Sequence, residues 1–246
     1  MKGLTLQHIS KSFGENKVLQ NINIHVQDGE LVCLLGTSGC GKTTLFNIIA
    51  GLLPPDEGEV LIDDCCITGQ TGKISYMLQK DLLLPYRTVE DNIALPLLLR
   101  KQKKKQARAE VAKHLKQFGL EGMAKKYPAQ LSGGMRQRAA LLRTYLFSKN
   151  WVLLDEPFSA LDPFTKSTLQ EWFLGVMKEL SLTALFITHD IDEAILLSNR
   201  IYLLGGGKPS GILHEIKIAP EDRANADFKL SEAFLGYKRS ILEKLC

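Results

Sequence analysis

The sequence of 246 residues lacks the long hydrophobic runs from which membrane spans are built. Apolar stretches such as LFNIIAGLLPP (45–55) are well short of the ~20 residues that cross a bilayer. The first residues, MKGLTLQHISKSFG, also lack the apolar core of a signal peptide. We therefore expect that any work on a membrane is done from outside the bilayer.

Cysteine is scarce, and neither sign of charge dominates the composition. The five cysteines are Cys33, Cys40, Cys65, Cys66 and Cys246. They show no C-x-x-C or Cys/His metal spacing, which predicts a reducing, cytoplasmic compartment without structural disulfides. The net charge of +4 is too mild to indicate a nucleic-acid binder. The run KQKKK (101–105) is predicted to be a solvated helix face, with contact to lipid headgroups as the weaker alternative.

The periodicity of apolar residues predicts an α/β fold, in which helices flank a mixed sheet and N-terminal antiparallel strands come first. LVCLLG (31–36) is continuously apolar, as in a strand buried on both faces. The strands of the core give way to helices and then return, so we predict one domain over residues 1–246. Its α/β core is 1–80 and 150–246, and 81–149 is a helical insert. IYLLGGGKPSGI is predicted to be the last strand and its turn. A C-terminal amphipathic helix is predicted from Leu230, Phe234, Tyr237, Ile241 and Leu245.

The segment GTSGCGKT (36–43) matches the phosphate-binding pattern G-x-x-x-x-G-K-[ST], between a predicted strand and a predicted helix. The loop consists of Gly36, Thr37, Ser38, Gly39, Cys40 and Gly41. Its glycines let the backbone N–H groups turn inward around phosphate oxygens. Lys42 adds a positive charge for the β- and γ-phosphates, Thr43 is placed to bind Mg²⁺, and Thr44 can donate to the α-phosphate. The pattern predicts a P-loop nucleotide site.

The segment WVLLDEP (151–157) predicts the acidic half of such a site. Asp155 follows four apolar strand residues, where it would hold Mg²⁺, and Glu156 is suited to act as the general base for water. Gln79 and His189 also end predicted strands. Their spacing alone favours ordinary structural roles for both.

A second feature that favours anions lies at LSGGMRQRAAL (131–141). Ser132, Gly133 and Gly134 open a predicted helix, whose free N–H groups and positive dipole end attract phosphate. The residues themselves do not say why one chain has two phosphate-binding features.

These segments, with SALD (159–162) and THD (188–190), resemble the motifs of the ATP-binding cassette (ABC) family, in the family's order. The resemblance covers residues 4–205. A P-loop alone would also fit kinases and GTPases, but no Asn-Lys-x-Asp segment for guanine is present. ENKVL (15–19) lacks the acid.

The resemblance explains the second phosphate-binding feature. In this family two chains dock head to tail, and each signature helix covers the ATP that is bound in the P-loop of the other. It implies that Ser132, Gly133 and Gly134 donate to the partner's nucleotide, with Asp162 as a contact across the dimer.

Three further roles are implied by the resemblance. Gln79 is similar to the residue that joins the Mg²⁺ and water site, and His189 to the histidine that contacts the γ-phosphate. Phe13 takes the place of an aromatic residue, commonly tyrosine, that stacks on adenine. It keeps the π-face without the hydroxyl. For Phe13 the alternative is a buried aromatic at a strand end.

Two longer segments, 80–99 and 155–172, resemble the nitrate/sulfonate/taurine group of importers, which includes transporters of thiamin precursors. This implies an ATPase subunit on the cytoplasmic face of a bacterial inner membrane, peripheral to it. Its partners would be a second copy of the chain, a membrane permease and, indirectly, a solute-binding protein, with no nucleic acid. The alternative is a soluble ABC ATPase that acts as a nucleotide-controlled interaction module on nucleic acid or a macromolecular complex.

The apolar segment DLLLPY (81–86) is interpreted as the surface that docks on the permease, with core packing as the alternative. On the docking interpretation, Leu83→Asp or Leu84→Asp leaves ATP binding intact and uncouples transport.

Overall fold

The computed structural model describes residues 2–148, 150–159, 161–225 and 227–245, and the chain divides into two compact units. We call Met1–Ile74 with Leu182–Cys246 the P-loop unit, and Ser75–Ser181 the signature unit. The strands are β1 (Gly3–Phe13), β2 (Asn16–Gln27), β3 (Leu31–Gly36), β4 (Glu57–Ile62), β5 (Cys65–Cys66), β6 (Ser75–Met77), β7 (Trp151–Asp155), β8 (Thr183–Thr188), β9 (Arg200–Gly205) and β10 (Gly211–Lys217). The α-helices are α1 (Lys42–Ile49), α2 (Val89–Ile93), α3 (Leu95–Leu99), α4 (Lys104–His114), α5 (Gly133–Phe147), α6 (Pro163–Glu179), α7 (Ile191–Leu197), α8 (Pro220–Ala224) and α9 (Glu232–Leu245).

The P-loop unit begins with the expected antiparallel sheet, in the strand order β2-β1-β4-β5. Apolar residues that alternate along β1 and β2 form its buried face, as the sequence pattern predicts. The pairing of β1 with β2 shifts register between Ile9 and Lys11 and again between Lys11 and Ser12. Such bulges bend a strand and leave residues unpaired, so the end of β1 needs other support.

A mixed sheet in the same unit positions the P-loop. β3 pairs in parallel with β8 on one edge and β9 on the other, and all its residues are buried. β10 pairs antiparallel with β9. Strand β10 was not predicted, since the sequence indicated β9 as the last strand. Most residues of β10 are exposed or half-buried, and its apolar pattern is weak. The α/β fold with a mixed sheet and N-terminal antiparallel strands is confirmed.

The C-terminal helix α9 packs on α7, as the amphipathic pattern predicts. Phe234 and Ile241 are buried in it. Leu230 was wrongly assigned to this face, because it lies before the helix and is 84% exposed.

The signature unit combines a parallel strand pair, β6 and β7, with helices α2 to α6. Helix α5 packs on β6, α2, α3 and α6, so it forms the centre of the unit. The aromatic ring of Phe118 packs edge-on against Trp172 and obliquely on Tyr145. Such aromatic pairs add about 0.5–1.5 kcal/mol beyond the burial of their area.

None of the helices formed by the described residues combines the length and the apolar character needed to cross a membrane. Cys33, Cys40, Cys65 and Cys66 are free thiols, and Cys246 lies outside the described residues. The boundaries of the core and the helical insert at 80 and 150 stay a prediction.

Candidate functional site

The P-loop lies between a strand that is paired on both edges and a helix that begins without a side-chain cap. β3 ends at Gly36, and α1 begins after Gly41, whose φ of 96° is in the left-handed region that favours glycine. A Cβ atom at Gly41 would lie 2.8 Å from Leu19 Cδ2 and 3.1 Å from Val18 Cγ1. At Gly36 it would lie 2.5 Å from the carbonyl oxygen of Leu204. Gly41 is therefore required by both conformation and space, and Gly36 by space.

Lys42 is the cation of this loop, and it is almost fully buried. Its Nζ donates to the carbonyl oxygens of Gly36 and Thr37, each at 2.8 Å. The third proton faces Cys40 Sγ at 4.0 Å, a weak acceptor that a phosphate oxygen would replace. Thr43 is exposed and Thr44 half-buried at the start of α1, as phosphate and Mg²⁺ ligands need to be.

His189 follows β8, and it is exposed. Thr188, the last residue of β8, is paired with Leu35 of β3, directly before Gly36. The carboxyl ends of adjacent parallel strands meet at one edge of a sheet, so His189 and the P-loop share that edge. The P-loop and His189, which lie about 150 positions apart in sequence, are thus brought to the same edge of one sheet.

Phe13 ends β1 and is 51% exposed, which argues against the alternative of a buried aromatic. Two residues earlier, Lys11 pairs with Leu19 of β2. The side chain of Leu19 is one of the two that approach Gly41. The ring of Phe13 is therefore carried by a hairpin whose other strand lies against the P-loop.

Gln79, Asp155 and Glu156 meet at the ends of β6 and β7 in the signature unit. The parallel register of Met77 with Leu154 brings the strand ends side by side. Gln79 Nε2 donates to Glu156 Oε2 at 3.1 Å. Glu156 has a φ of 46°, a left-handed conformation that is uncommon for a residue with a side chain. Such strain is concentrated at functional sites.

Tyr76 is a member of this group that the sequence analysis missed. Its hydroxyl donates to Asp155 Oδ2 at 3.3 Å. Burial, and then the negative charge of Asp155 and the hydrogen bond to it, raise the pKa of the Tyr76 phenol, so it remains a protonated donor. The only signal in the sequence is a tyrosine three residues before Gln79, which becomes meaningful once β6 and β7 are known to pair in parallel.

LSGGMRQRAAL (131–141), which we call the signature segment, contains the predicted start of a helix, α5. Ser132 is exposed and caps α5, with its Oγ accepting from the Met135 N–H at 3.3 Å. A Cβ atom at Gly133 would lie 3.3 Å from Leu161 Cδ2, and one at Gly134 would lie 3.1 Å from Thr165 Cγ2. The glycines thus let the start of α5 pack closely on the start of α6.

Asp162 caps that neighbouring helix. Its Oδ1 accepts from the Thr165 N–H at 3.0 Å, and hydrogen bonds from Thr165 hold the pKa of the Asp162 carboxyl below its usual range. Asp162 is therefore an ionised group close to the glycines of the signature segment. Residues 132–134 and Asp162, which the sequence singles out separately, thus form one surface of the signature unit, which we call the signature surface.

The oxygen donors predicted for magnesium are chemically suitable. Thr43 offers a hydroxyl, Asp155 a carboxylate, and Gln79 an amide oxygen, since its Nε2 is the atom that contacts Glu156. Hard oxygen ligands of this kind are the ones that Mg²⁺ prefers. Their joint role as metal ligands remains a proposal.

The segment 81–86 does not present the residues that the sequence analysis selected. Leu83 is only 8% exposed and Leu84 is half-buried, so for Leu83 core packing is the correct interpretation. The exposed large apolar side chains are those of Leu82, at 53%, and Tyr86, at 72%, and Pro85 beside Tyr86 is also exposed. Any docking surface here is therefore centred on Leu82 and Tyr86.

Similarity to known proteins agrees with this geometry. The family profile described as ABC transporter matches residues 19–159. The aliphatic sulfonates import ATP-binding protein SsuB of Bacillus cereus is 42% identical over 240 residues, which cover 97% of this chain and 92% of that protein. The formylaminopyrimidine import ATP-binding protein ThiZ of Halalkalibacterium halodurans is 39% identical over 242 residues, which cover 98% of this chain and 93% of that protein.

Among solved structures, a dimeric ATP-binding cassette in a post-hydrolysis state, bound to ADP and Pi, superposes with a TM-score of 0.73. It is 31% identical, and the match covers 88% of this chain and 99% of that one. A second cassette of an ABC transporter has a TM-score of 0.82 over 100% of this chain and 99% of that one, at 22% identity, which supports the fold alone.

Proposed function

Because the chain belongs to the ABC transporter family, we propose that it is the ATP-hydrolysing subunit of an importer for a small solute of the sulfonate, nitrate, taurine or thiamin-precursor type. ATP binding and hydrolysis are the activities of this family's cassette. The proposal further assigns roles to single residues, the pairing of two identical chains, a permease partner and the kind of solute. The observation that carries the hydrolytic role is the contact of Gln79 with Glu156 at the ends of β6 and β7.

The proposed chemistry follows from groups of this chain. The P-loop amides and Lys42 bind the phosphates, and Glu156 accepts the proton of the attacking water. Gln79 orients the Glu156 carboxylate through its amide N–H. When bound by Thr43, Gln79 and Asp155, Mg²⁺ would neutralise phosphate charge during transfer.

The signature surface is proposed to complete the site of a second copy. Ser132 and the amides of the first turn of α5 are hydrogen-bond donors at a positive helix end, and the exposed side chain of Ser132 is accessible to a partner. The solved relative that binds ADP and Pi is itself a dimer, which supports this arrangement. ATP would then stabilise the dimer, and loss of the γ-phosphate would weaken it.

Leu82 and Tyr86 are proposed to dock on a membrane permease. Both are large apolar side chains on a segment that directly follows Gln79, so a partner bound there sits next to a catalytic group. Location at the cytoplasmic face of the membrane follows from this docking. For the solute, the resemblance to SsuB and ThiZ favours a sulfonate or a thiamin precursor.

The variant Glu156→Gln tests the hydrolytic role. Glutamine keeps an oxygen that can accept from Gln79 but cannot take a proton, so we expect ATP binding and dimerisation to persist and hydrolysis to fall by about 10²–10⁴-fold. Phosphate release and size-exclusion chromatography with ATP measure the two effects. Glu121→Gln, at an exposed site in the same unit, is the matched control. A rate close to that of the unchanged protein would remove Glu156 from the base role.

Import is tested in proteoliposomes that contain the chain with its co-purified permease. ATP-dependent uptake of a labelled sulfonate or thiamin precursor is expected, and Glu156→Gln should abolish it. Co-purification of RNA or DNA in place of a permease would instead favour a cassette that acts on nucleic acid.

Leu82→Asp tests the docking surface. It adds a charge to an exposed side chain, so ATPase activity of the isolated chain should persist while transport is lost. Leu83→Asp is the contrasting variant, because a buried carboxylate destabilises the fold itself, by about 3 kcal/mol or more. Normal transport by Leu82→Asp and by Tyr86→Asp would exclude this surface.

A further inference from the structure

A single carboxylate, that of Asp56, supports the end of β1 just before Phe13. Asp56 Oδ1 accepts from Lys11 Nζ at 2.6 Å, and Oδ2 accepts from the backbone N–H of Ser12 at 2.6 Å. The backbone N–H of Asp56 also donates to the Ser10 carbonyl oxygen at 2.9 Å. Three consecutive residues of β1 are thus bound to one residue that lies more than 40 positions later in the chain.

The strand needs this support because its regular pairing is interrupted there. The register of β1 with β2 shifts on both sides of Lys11, and the last pair of β1 with β4 is Ser10 with Glu57. The backbone at Ser12 therefore relies on the Asp56 carboxylate on the side that faces away from β2. A charge-assisted hydrogen bond is about twice as strong as a neutral one.

Lys11 connects this ion pair to the aromatic ring. Its side chain is almost buried, which is unusual for lysine, and its Nζ lies 5.7 Å from the centroid of the Phe13 ring. Asp56 fixes the position of the ammonium group through the 2.6 Å contact. The ring is thus held by a cation at a fixed position while half of its surface remains open to a ligand.

We propose that Asp56 is a positioning residue for adenine, which acts by holding Lys11 and the backbone of Ser12 so that the Phe13 ring is oriented for stacking. The inference rests on the proposed role of Phe13 in binding the base. Asp56 itself touches no nucleotide atom in this scheme. Its effect is therefore on the base and not on the phosphates.

The test compares two ligands of the isolated chain, ATP and inorganic tripolyphosphate, by isothermal titration calorimetry. Tripolyphosphate has the phosphates but no base, so it depends on the P-loop alone. Asp56→Asn replaces one acceptor oxygen with an NH₂ group, which cannot accept from either Lys11 or Ser12. We expect the Kd of ATP to rise about fivefold, the size of one aromatic contact, with the Kd of tripolyphosphate unchanged.

Glu57→Gln is the matched control, since it removes one negative charge from the next residue, which is exposed. It should leave both constants unchanged. Phe13→Ala should weaken ATP binding as Asp56→Asn does, and the double variant should show little additional loss, because both act on one contact. Lys11→Arg should retain ATP affinity and Lys11→Gln should lose it. This second pair applies if Asp56→Asn folds poorly.

The possible outcomes distinguish the stacking role of Phe13 from the positioning role of Asp56. If Phe13→Ala binds ATP normally, the stacking role is wrong. If Phe13→Ala weakens ATP binding but Asp56→Asn and Lys11→Gln do not, stacking holds and the positioning role is wrong. Equal weakening of ATP and tripolyphosphate by Asp56→Asn would also overturn the proposal, since the carboxylate would then support the P-loop in general.

Discussion

The chain has two helix starts that favour anions, and they are built differently. Helix α1 has no side-chain cap, and its first residue, Lys42, is a buried cation that contacts the loop carbonyls. Helix α5 is capped by Ser132, and its nearest cation, Arg136, donates to the Leu131 carbonyl oxygen and contacts Asp81. The first combines backbone amides with a buried cation, whereas the second offers neutral donors, because its cation is engaged by Asp81. A neutral set of donors suits a phosphate whose charge is already balanced elsewhere.

The two units also differ in how the segments beside these helix starts are supported. The P-loop unit holds β3 through backbone pairing with β8 and β9. The signature unit holds 81–88 through side chains. Asn92 makes four hydrogen bonds to that segment, and Arg143 donates to the carbonyl oxygens of Asp81 and Leu82. Single substitutions should therefore remodel the second region more readily than the first.

Among the variants that test this comparison of the two units, Ser132→Arg is expected to have the largest effect. A bulky cation at the exposed start of α5 would block the approach of a second chain, so hydrolysis should fall by about 10²–10³-fold, the size of a lost transition-state donor. ATP affinity of the monomer should be unchanged, because the P-loop unit contains its own cradle. Steady-state phosphate release and nucleotide binding at low protein concentration measure the two. If the monomer instead loses its affinity for ATP, the starts of α1 and α5 bind the same nucleotide within one chain, which contradicts the separate roles given to them here.

Asn92→Leu is expected to cost about 3 kcal/mol of stability. The buried amide is replaced by an apolar group of similar size, which leaves the N–H of Leu84 and the carbonyls of Leu84, Arg87 and Thr88 without this partner. For a protein of this size the melting temperature should fall by about 6–12 °C. Differential scanning fluorimetry measures it, with the exposed Asn150→Leu as control. An unchanged melting temperature would show that the segment has other support.

The sequence predicts the P-loop unit better than the signature unit, because the P-loop depends on local features and the segment 81–86 depends on contacts with distant residues. The P-loop is a local feature, in which consecutive glycines and one lysine define a backbone shape, and the buried β3 is legible as an apolar run. By contrast, DLLLPY shows only that three leucines are adjacent. Which of them is buried depends on Asn92 and Arg143, which lie in other elements.

Long-range polar contacts are the part of the site that the sequence leaves open. Tyr76 with Asp155, and Lys11 with Asp56, join residues that are 79 and 45 positions apart. Asp155 belongs to the acidic segment, but Tyr76, Lys11 and Asp56 belong to no motif, so nothing in the sequence indicates which residue each of them contacts. Such contacts become predictable only after the strand pairing is known.

Gly41→Ala and Gly134→Ala form the next contrast. Alanine at Gly41 requires a left-handed conformation and meets Leu19 at 2.8 Å, so ATP affinity should fall by about ten- to a hundredfold, as expected for 1–3 kcal/mol of strain. Alanine at Gly134 meets only Thr165 at 3.1 Å and gains helix propensity of about 1 kcal/mol. Its ATP affinity should be normal, and only hydrolysis should decrease. Calorimetry and phosphate release test both, and equal affinities for ATP in the two variants would contradict the comparison.

The smallest effect, and the most local, is expected from Arg143→Lys. Leu82 has a φ of 45°, which is unfavourable for a branched apolar residue, and the guanidinium of Arg143 holds it by donating to the carbonyls on either side of that φ. An ammonium group cannot reproduce this planar pair of donors, so about 1 kcal/mol of local stability should be lost. Amide exchange at Leu83 and Leu84 should accelerate about fivefold, while that of β3 stays unchanged. The exposed Arg239→Lys in α9 is the control. If the β3 amides accelerate equally, the loss is global, and the separate support of the two regions is refuted.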